Sequence, residues 1–254
     1  MKQLPNLFTL LNLFFGCIAI IFILQNGISI LSGADGTQLI DMPEKIWVAS
    51  LFIALAALVD FLDGFVARLF KATSDKGKQL DSLADVVSFG VAPGMILYQF
   101  LRMSFMKQQD GLEISLLWLL PALIFPCAAA YRLAKFNVDS TQQFVFKGMP
   151  SPAAGLLIAS IPLIYWHTNS ETVLTLLLNK WFLYAIILVV SYLMVSNLKL
   201  IALKFSDVSM QNNIPKIILL AVAIIAGIFC KWLAVPIVFI FYIIISLIFK
   251  NKTT

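Results

Sequence analysis

Histidine is all but missing from this chain: His167 is its single copy, in a stretch expected to form a loop. With one histidine, neither a zinc site nor a Ser/His/Asp triad is indicated. Cysteine is nearly as sparse. Cys17, Cys127 and Cys230 are scattered through apolar segments without paired metal-ligand spacing, and they read as small buried hydrophobes. Charge is scarce too: Asp, Glu, Lys and Arg make up 12% of the chain, against about 25% in an ordinary soluble domain. A separate soluble domain is therefore excluded. No basic block with interleaved aromatics occurs, so nucleic acid is not an expected partner. No repeat period or low-complexity linker is evident.

What fills the chain instead is apolar: 61% of residues are hydrophobic, and several runs reach the ~20 residues that cross a bilayer. The first run extends from Leu7 to about Leu31, longer than a ~7–15-residue signal core, with no small-residue cleavage site after it. It is expected to be a retained span. Eight spans are predicted, near 7–31, 46–70, 79–104, 114–136, 150–167, 180–203, 214–230 and 233–250. The last two are short, are separated only around Cys230-Lys231, and suit a tight hairpin. The fold class is therefore all-α, a polytopic membrane bundle in one domain over 1–254. With the N-terminus inside, the inner side collects about 13 lysines and arginines and the outer side about 5. That bias places both termini in the cytoplasm and also explains the net charge of +5.

Against this background, four aspartates stand out. Asp60 and Asp63 lie near the end of the second span, and Asp81 and Asp85 near the start of the third. An Asp at a helix centre costs ~2.5–3.5 kcal/mol on the insertion scale, so four of them must face something polar. The spacings, three apart and four apart, put each pair on one helix face. A short connector makes the two helices antiparallel neighbours, so all four can converge just inside the cytoplasmic surface. Converging carboxylates repel unless they are protonated or neutralised by a cation. Oxygen ligands without His or Cys favour a hard ion, Mg²⁺, Mn²⁺ or Ca²⁺. Two such ions about 3.5–4 Å apart can stabilise the entering and leaving oxygens of a phosphoryl displacement. Gly64 and Ala67 leave room beside the first pair, and Gly77 opens the next helix, where backbone can approach a phosphate.

The full stretch reads Asp60-x-x-Asp63-Gly64-x-x-Ala67-Arg68, eight residues, Gly77-x-x-x-Asp81-x-x-x-Asp85. At every fixed position it resembles the signature of the CDP-alcohol phosphotransferase family. The resemblance implies an enzyme that moves a phosphatidyl-type group from a CDP-linked lipid to an alcohol, releasing CMP. It makes Asp60, Asp63 and Asp81 metal ligands, with Asp85 completing a site for Mg²⁺ or Mn²⁺, two ions in all, and serving as general base. It assigns Asp63, Gly64, Ala67, Arg68, Gly77 and Asp81 to the CDP moiety, and it implies a homodimer. It divides the domain into a catalytic core over 1–155 and further helices over 156–254.

The flanks resemble one branch, the bacterial and archaeal CDP-diacylglycerol–serine O-phosphatidyltransferases. They are Leu4-Pro5-Asn6 with Thr9 and Asn12-Leu-Phe-Phe-Gly16, Leu80 to Pro93, Tyr131 to Asn137, and Phe146 to Gly155. That branch implies CDP-diacylglycerol and L-serine as substrates, membrane lipids as surroundings, and a prokaryotic cytoplasmic membrane with the site on its cytoplasmic side. Arg132, Lys135 and Asn137 would bind the serine carboxylate or lipid phosphates, although an inner-side anchor explains Arg132 and Lys135 equally well. Asn6, Thr9 and Asn12 either line the nucleotide entrance or cap the first helix. Arg68 meets a phosphate, pairs with a motif aspartate, or snorkels. Two alternatives stay open: another acceptor such as glycerol 3-phosphate or inositol phosphate, and a cation- or proton-coupled transporter using the same aspartates.

Overall fold

The computed structural model describes residues 4–25, 29–32, 38–41, 45–69, 74–106, 114–138, 146–201 and 210–248. Helices α1 (Leu4–Leu24) and α2 (Ile46–Leu69) are mainly apolar and pack along each other, with Phe15 and Phe22 against Phe52 at ring-centroid distances of 6.0 and 5.5 Å. The expected first span was too long. The helix stops at Leu24, and Ser29–Ser32 (β1) pairs antiparallel with Gln38–Asp41 (β2). The sequence explains the stop: polar Gln25 and Asn26 and then Gly27 follow, and such residues end helices.

Helix α3 (Asp75–Asp85) opens on Ser74, whose Oγ accepts from the Gly77 N–H at 3.0 Å. This is an ordinary N-cap, so Gly77 sits within the first turn rather than at the opening. The helix continues through a widened π turn, Val86–Val91, into α4 (Ala92–Met106), a run of 32 residues. Pro93 gives a reason for the widening. It has no N–H to donate and its ring crowds the carbonyl four residues back, and a π turn relieves both.

The turn is also the packing hub of the bundle. A Cβ on Gly16 of α1 would collide with Ser88 Oγ and lie 2.9 Å from Ser88 Cα. Gly155 lies as close to Phe89, and Gly90 faces Ala129. Phe89 is fully buried among these small residues.

Two short 3₁₀ turns, Leu116–Trp118 and Leu120–Leu123, precede α5 (Ile124–Val138), with Pro121 in the second. Helix α6 (Ser151–His167) follows, then α7 (Glu171–Leu177) and α8 (Lys180–Val195), bent by 63° to each other. A second ribbon joins β3 (Phe146–Lys147) to β4 (Lys199–Leu200). Helices α9 (Met210–Cys230) and α10 (Ala234–Ile248) are parted by Lys231, at φ 49°.

Among the described residues, four helical stretches are long and apolar enough to cross a membrane, or five if α7–α8 counts as one. The helices within the expected spans 114–136 and 150–167 have 15 and 17 residues, short by that measure. The stretch Ile214–Ile248 counts as one there, but its contacts make it two arms. The Trp232 ring is 6.0 Å from His167, at the end of α6, whereas Tyr242 and Ser246 reach Ile201 near the start of α6. Helix α10 thus runs opposite to α6, and α9 packs back along it. The protein is helical, as its composition predicts; the two ribbons are a departure too short for apolar periodicity to reveal.

Candidate active site

The C-terminal half of α2 and the C-terminal half of α3 both pack on α1 and bring their aspartates together. There the carboxylates of Asp60, Asp81 and Asp85 offer oxygens that all lie within 4.8 Å of one another. Asp63, buried, accepts a short hydrogen bond from Thr9 Oγ1, and its charge is felt by Asp60 and Asp81. The four aspartates of the motif therefore share one locale, three of them facing a common centre and the fourth turned to α1. Like charges at this range must be protonated or balanced by a positive charge.

The donor set fits a hard divalent cation. It is made of carboxylate oxygens alone, and Asp81 Oδ1 is buried without a hydrogen-bond partner. Such an atom is costly to bury unless something binds it.

Helix α1 supplies the wall behind the carboxylates. Asn6, Thr9 and Asn12 recur every three residues and share a face. Asn6 Oδ1 stands 3.1 Å from where a Cβ on Gly77 would be. Thr9 also donates to its own helix at Pro5 O, 3.1 Å away. Asn12 is fully buried and donates from Nδ2 to Asp85 Oδ1 at 3.1 Å, while its own Oδ1 has no partner. The side chains read from sequence as an entrance or a cap thus stand against the motif carboxylates and Gly77. Gly64 has nothing within 4 Å of an added Cβ, so its side of α2 is open. Ala67 and Arg68 lie in α2, and their side chains lie outside the described residues.

Arg132, just past the middle of α5, is buried at 7% exposure and within electrostatic reach of Asp85. Its Nη1 donates to Ser151 Oγ at 3.1 Å, its guanidinium lies 5.7 Å from the Phe136 ring centre, and its Nε has no partner. Lys135 and Asn137 are engaged elsewhere. Lys135 Nζ donates to Asn197 Oδ1 at 2.7 Å and to Val195 O at 3.4 Å, closing the end of α8. Asn137 Nδ2 donates to Ser82 Oγ at 2.7 Å, and its carbonyl accepts from Lys78 Nζ at 3.3 Å. Of the three, Arg132 alone has a buried donor with no protein partner.

Sequence reasoning missed Ser88, whose Oγ donates to Asn12 O at 3.0 Å, and also Ser151 and Tyr242 around Arg132. Ser88 and Ser151 do lie inside the quoted flanking segments, but nothing local in the sequence indicates their partners.

A sequence model of the CDP-alcohol phosphatidyltransferase family matches residues 2–191. The chain belongs to the CDP-alcohol phosphatidyltransferase family. Curated relatives in it are named CDP-diacylglycerol–serine O-phosphatidyltransferase. The Helicobacter pylori protein (strain 26695) is 34% identical over 200 residues, 77% of this chain and 70% of that one. The Mycobacterium tuberculosis protein (strain H37Rv) is 29% identical over 257 residues, 95% and 76% respectively. The Bacillus subtilis protein is 37% identical over 117 residues, which spans 46% of this chain and 61% of that one. The family match includes all four aspartates and Arg132, and it ends within α8.

Proposed function

We infer that this chain transfers the phosphatidyl group of CDP-diacylglycerol to the hydroxyl of L-serine, giving phosphatidylserine and CMP. The observation that carries this is the convergence of Asp60, Asp81 and Asp85 beside a buried Arg132 that keeps one donor free. The names of the relatives support serine as the acceptor.

In this reading Asp60, Asp63, Asp81 and Asp85 hold the divalent cation, Mg²⁺ or Mn²⁺ and two ions in all, with Ca²⁺ able to bind. Bound there, the cation neutralises the pyrophosphate and the charge that develops on departing CMP. Asp85 takes the proton from the serine hydroxyl as that oxygen attacks the lipid-side phosphorus. A P–O bond to serine forms and the P–O bond to CMP breaks. The Asn12 amide holds one Asp85 oxygen and so fixes the orientation of the carboxylate for that transfer. Arg132 pairs with the serine carboxylate through its free Nε. Gly64, Ala67, Arg68 and Gly77 border the CDP moiety, and the openness beside Gly64 supports this. Lys135 and Asn137 hold the helix ends around the acceptor.

The same reading has eight crossings with both termini in the cytoplasm, a homodimer, a core over 1–155, and the site at the cytoplasmic face of a prokaryotic inner membrane. The orientation is supported by Lys78, Arg132 and Lys135, which stand at the end of the bundle that holds the aspartates. Trp47, His167 and Trp232 cluster at the other end, as interfacial aromatics do on either side of a membrane.

An acceptor panel tests the assignment: the reconstituted chain is given CDP-diacylglycerol, Mn²⁺ and either L-serine, glycerol 3-phosphate or inositol phosphate. Phosphatidylserine and CMP should form together, with L-serine alone. Product with a phosphorylated alcohol instead would move the protein to another branch, and solute flux without CMP would make it a transporter.

A further inference from the structure

The family match stops at residue 191, but the contacts that fix Arg132 do not. Ser151 accepts the Arg132 bond from the first position of α6, and what holds Ser151 in place can be followed along the backbone. Gly148 N–H donates to Leu198 O at 2.8 Å and Met149 N–H to Leu193 O at 3.0 Å, binding the approach to α6 to the end of α8. Gly148 adopts φ 75°, and a Cβ there would lie 2.7 Å from both Met194 O and Ser196 O. Such a passage has little freedom to absorb a shift. Just before it, β3 pairs with β4, Phe146 opposite Leu200. Ile201 follows β4, and α10 grips it at both backbone groups. Its N–H donates to Ser246 Oγ at 3.3 Å, and its carbonyl accepts from the Tyr242 hydroxyl at 3.1 Å. Ser246 is fully buried, Tyr242 nearly so, and Tyr242 also lies within electrostatic reach of Arg132.

We propose that Tyr242 and Ser246 are positioning residues for the acceptor side of the site. From α10 they lock Ile201 and the β3–β4 ribbon, so that Ser151 holds Arg132 with its Nε free for the acceptor carboxylate. The C-terminal hairpin thereby takes part in choosing the acceptor, by a route outside the family's matched region. This rests on the reading of Arg132 as the partner of the serine carboxylate.

The test is steady-state CMP release by the full chain in lipid nanodiscs, with the KM for L-serine and the KM for CDP-diacylglycerol measured separately. Tyr242→Phe removes one hydroxyl and keeps the ring; Ser246→Ala removes the other contact. One hydrogen bond corresponds to a change of about three- to tenfold, so each variant should raise the serine KM by that factor. The CDP-diacylglycerol KM and kcat at saturating serine should stay within about twofold. In an Arg132→Gln background Tyr242→Phe should change the serine KM no further, because the two act through one contact. An unchanged serine KM in both variants, a parallel loss in both KM values, or additive effects in that background would overturn the inference. Wild-type protein that releases no CMP with L-serine would instead sink the acceptor reading itself.

Discussion

Asn12 carries more of the site than its lack of charge suggests. It is fully buried, its amide N–H₂ holds Asp85, and its backbone carbonyl is held in turn by Ser88. A hydrogen bond to a charged group contributes about 1.5–3 kcal/mol, and 1.4 kcal/mol is about tenfold in rate. Asn12→Leu, close in volume, should therefore lower kcat by roughly 10- to 100-fold while the KM for CDP-diacylglycerol changes little. Full kcat in that variant would show that the Asn12 contact to Asp85 does not serve the reaction. The aspartates themselves were legible in the sequence, because charge in an apolar segment is an energetic anomaly and their spacing fixes a face. Their second layer was not. Asn12 and Asp85 are 73 positions apart, and the order in which helices pack decides which polar side chain stands behind which carboxylate.

At the scale of elements, the π turn Val86–Val91 sets the geometry. It begins directly after Asp85 and sits between glycine faces on α1 and α6, so Asp85 is anchored where the bundle is tightest. Two glycines make this measurable by thermal unfolding. At Gly155 an added Cβ would lie 3.0–3.1 Å from Phe89 atoms, and Gly155→Val should destabilise by about 1–3 kcal/mol through overpacking. At Gly64 nothing lies within 4 Å, so Gly64→Ala should raise helix stability by about 0.5–1 kcal/mol. The same Gly64→Ala change should weaken CDP-diacylglycerol binding, if that open side receives the nucleotide. Stabilisation with unaltered binding would place the nucleotide elsewhere.

The existence and rough order of the apolar helices could be read from hydropathy alone. Their ends could not, since α1 gives way to a ribbon and α5 begins late. The π turn depends on Pro93 and on packing against three other helices, a combination with no local signature.

For the molecule as a whole, one end of the bundle holds the carboxylates with Lys78, Arg132 and Lys135, and the other holds the Trp47–His167–Trp232 cluster. On the proposed reading, that polarity lets a membrane-held CDP-lipid and a water-soluble alcohol meet at one depth. The last hairpin, which the sequence offered as two short apolar runs around Cys230-Lys231, returns to that same end through Tyr242 and Ser246. Its role was hidden because its contacts are made to the backbone of Ile201, where sequence carries no mark.

The central claim is that the Asp60–Asp85 cluster moves a phosphatidyl group to serine, with Asp85 taking the proton. The most direct measurement is single-turnover CMP release from CDP-diacylglycerol, with wild-type and Asp85→Asn protein in excess over the lipid, Mn²⁺ present, and L-serine added to start the reaction. Wild-type protein should release CMP in step with phosphatidylserine only after serine is added. Asp85→Asn should bind the CDP-lipid but release almost none. Near-normal release by Asp85→Asn, or wild-type release that ignores serine, would contradict the account.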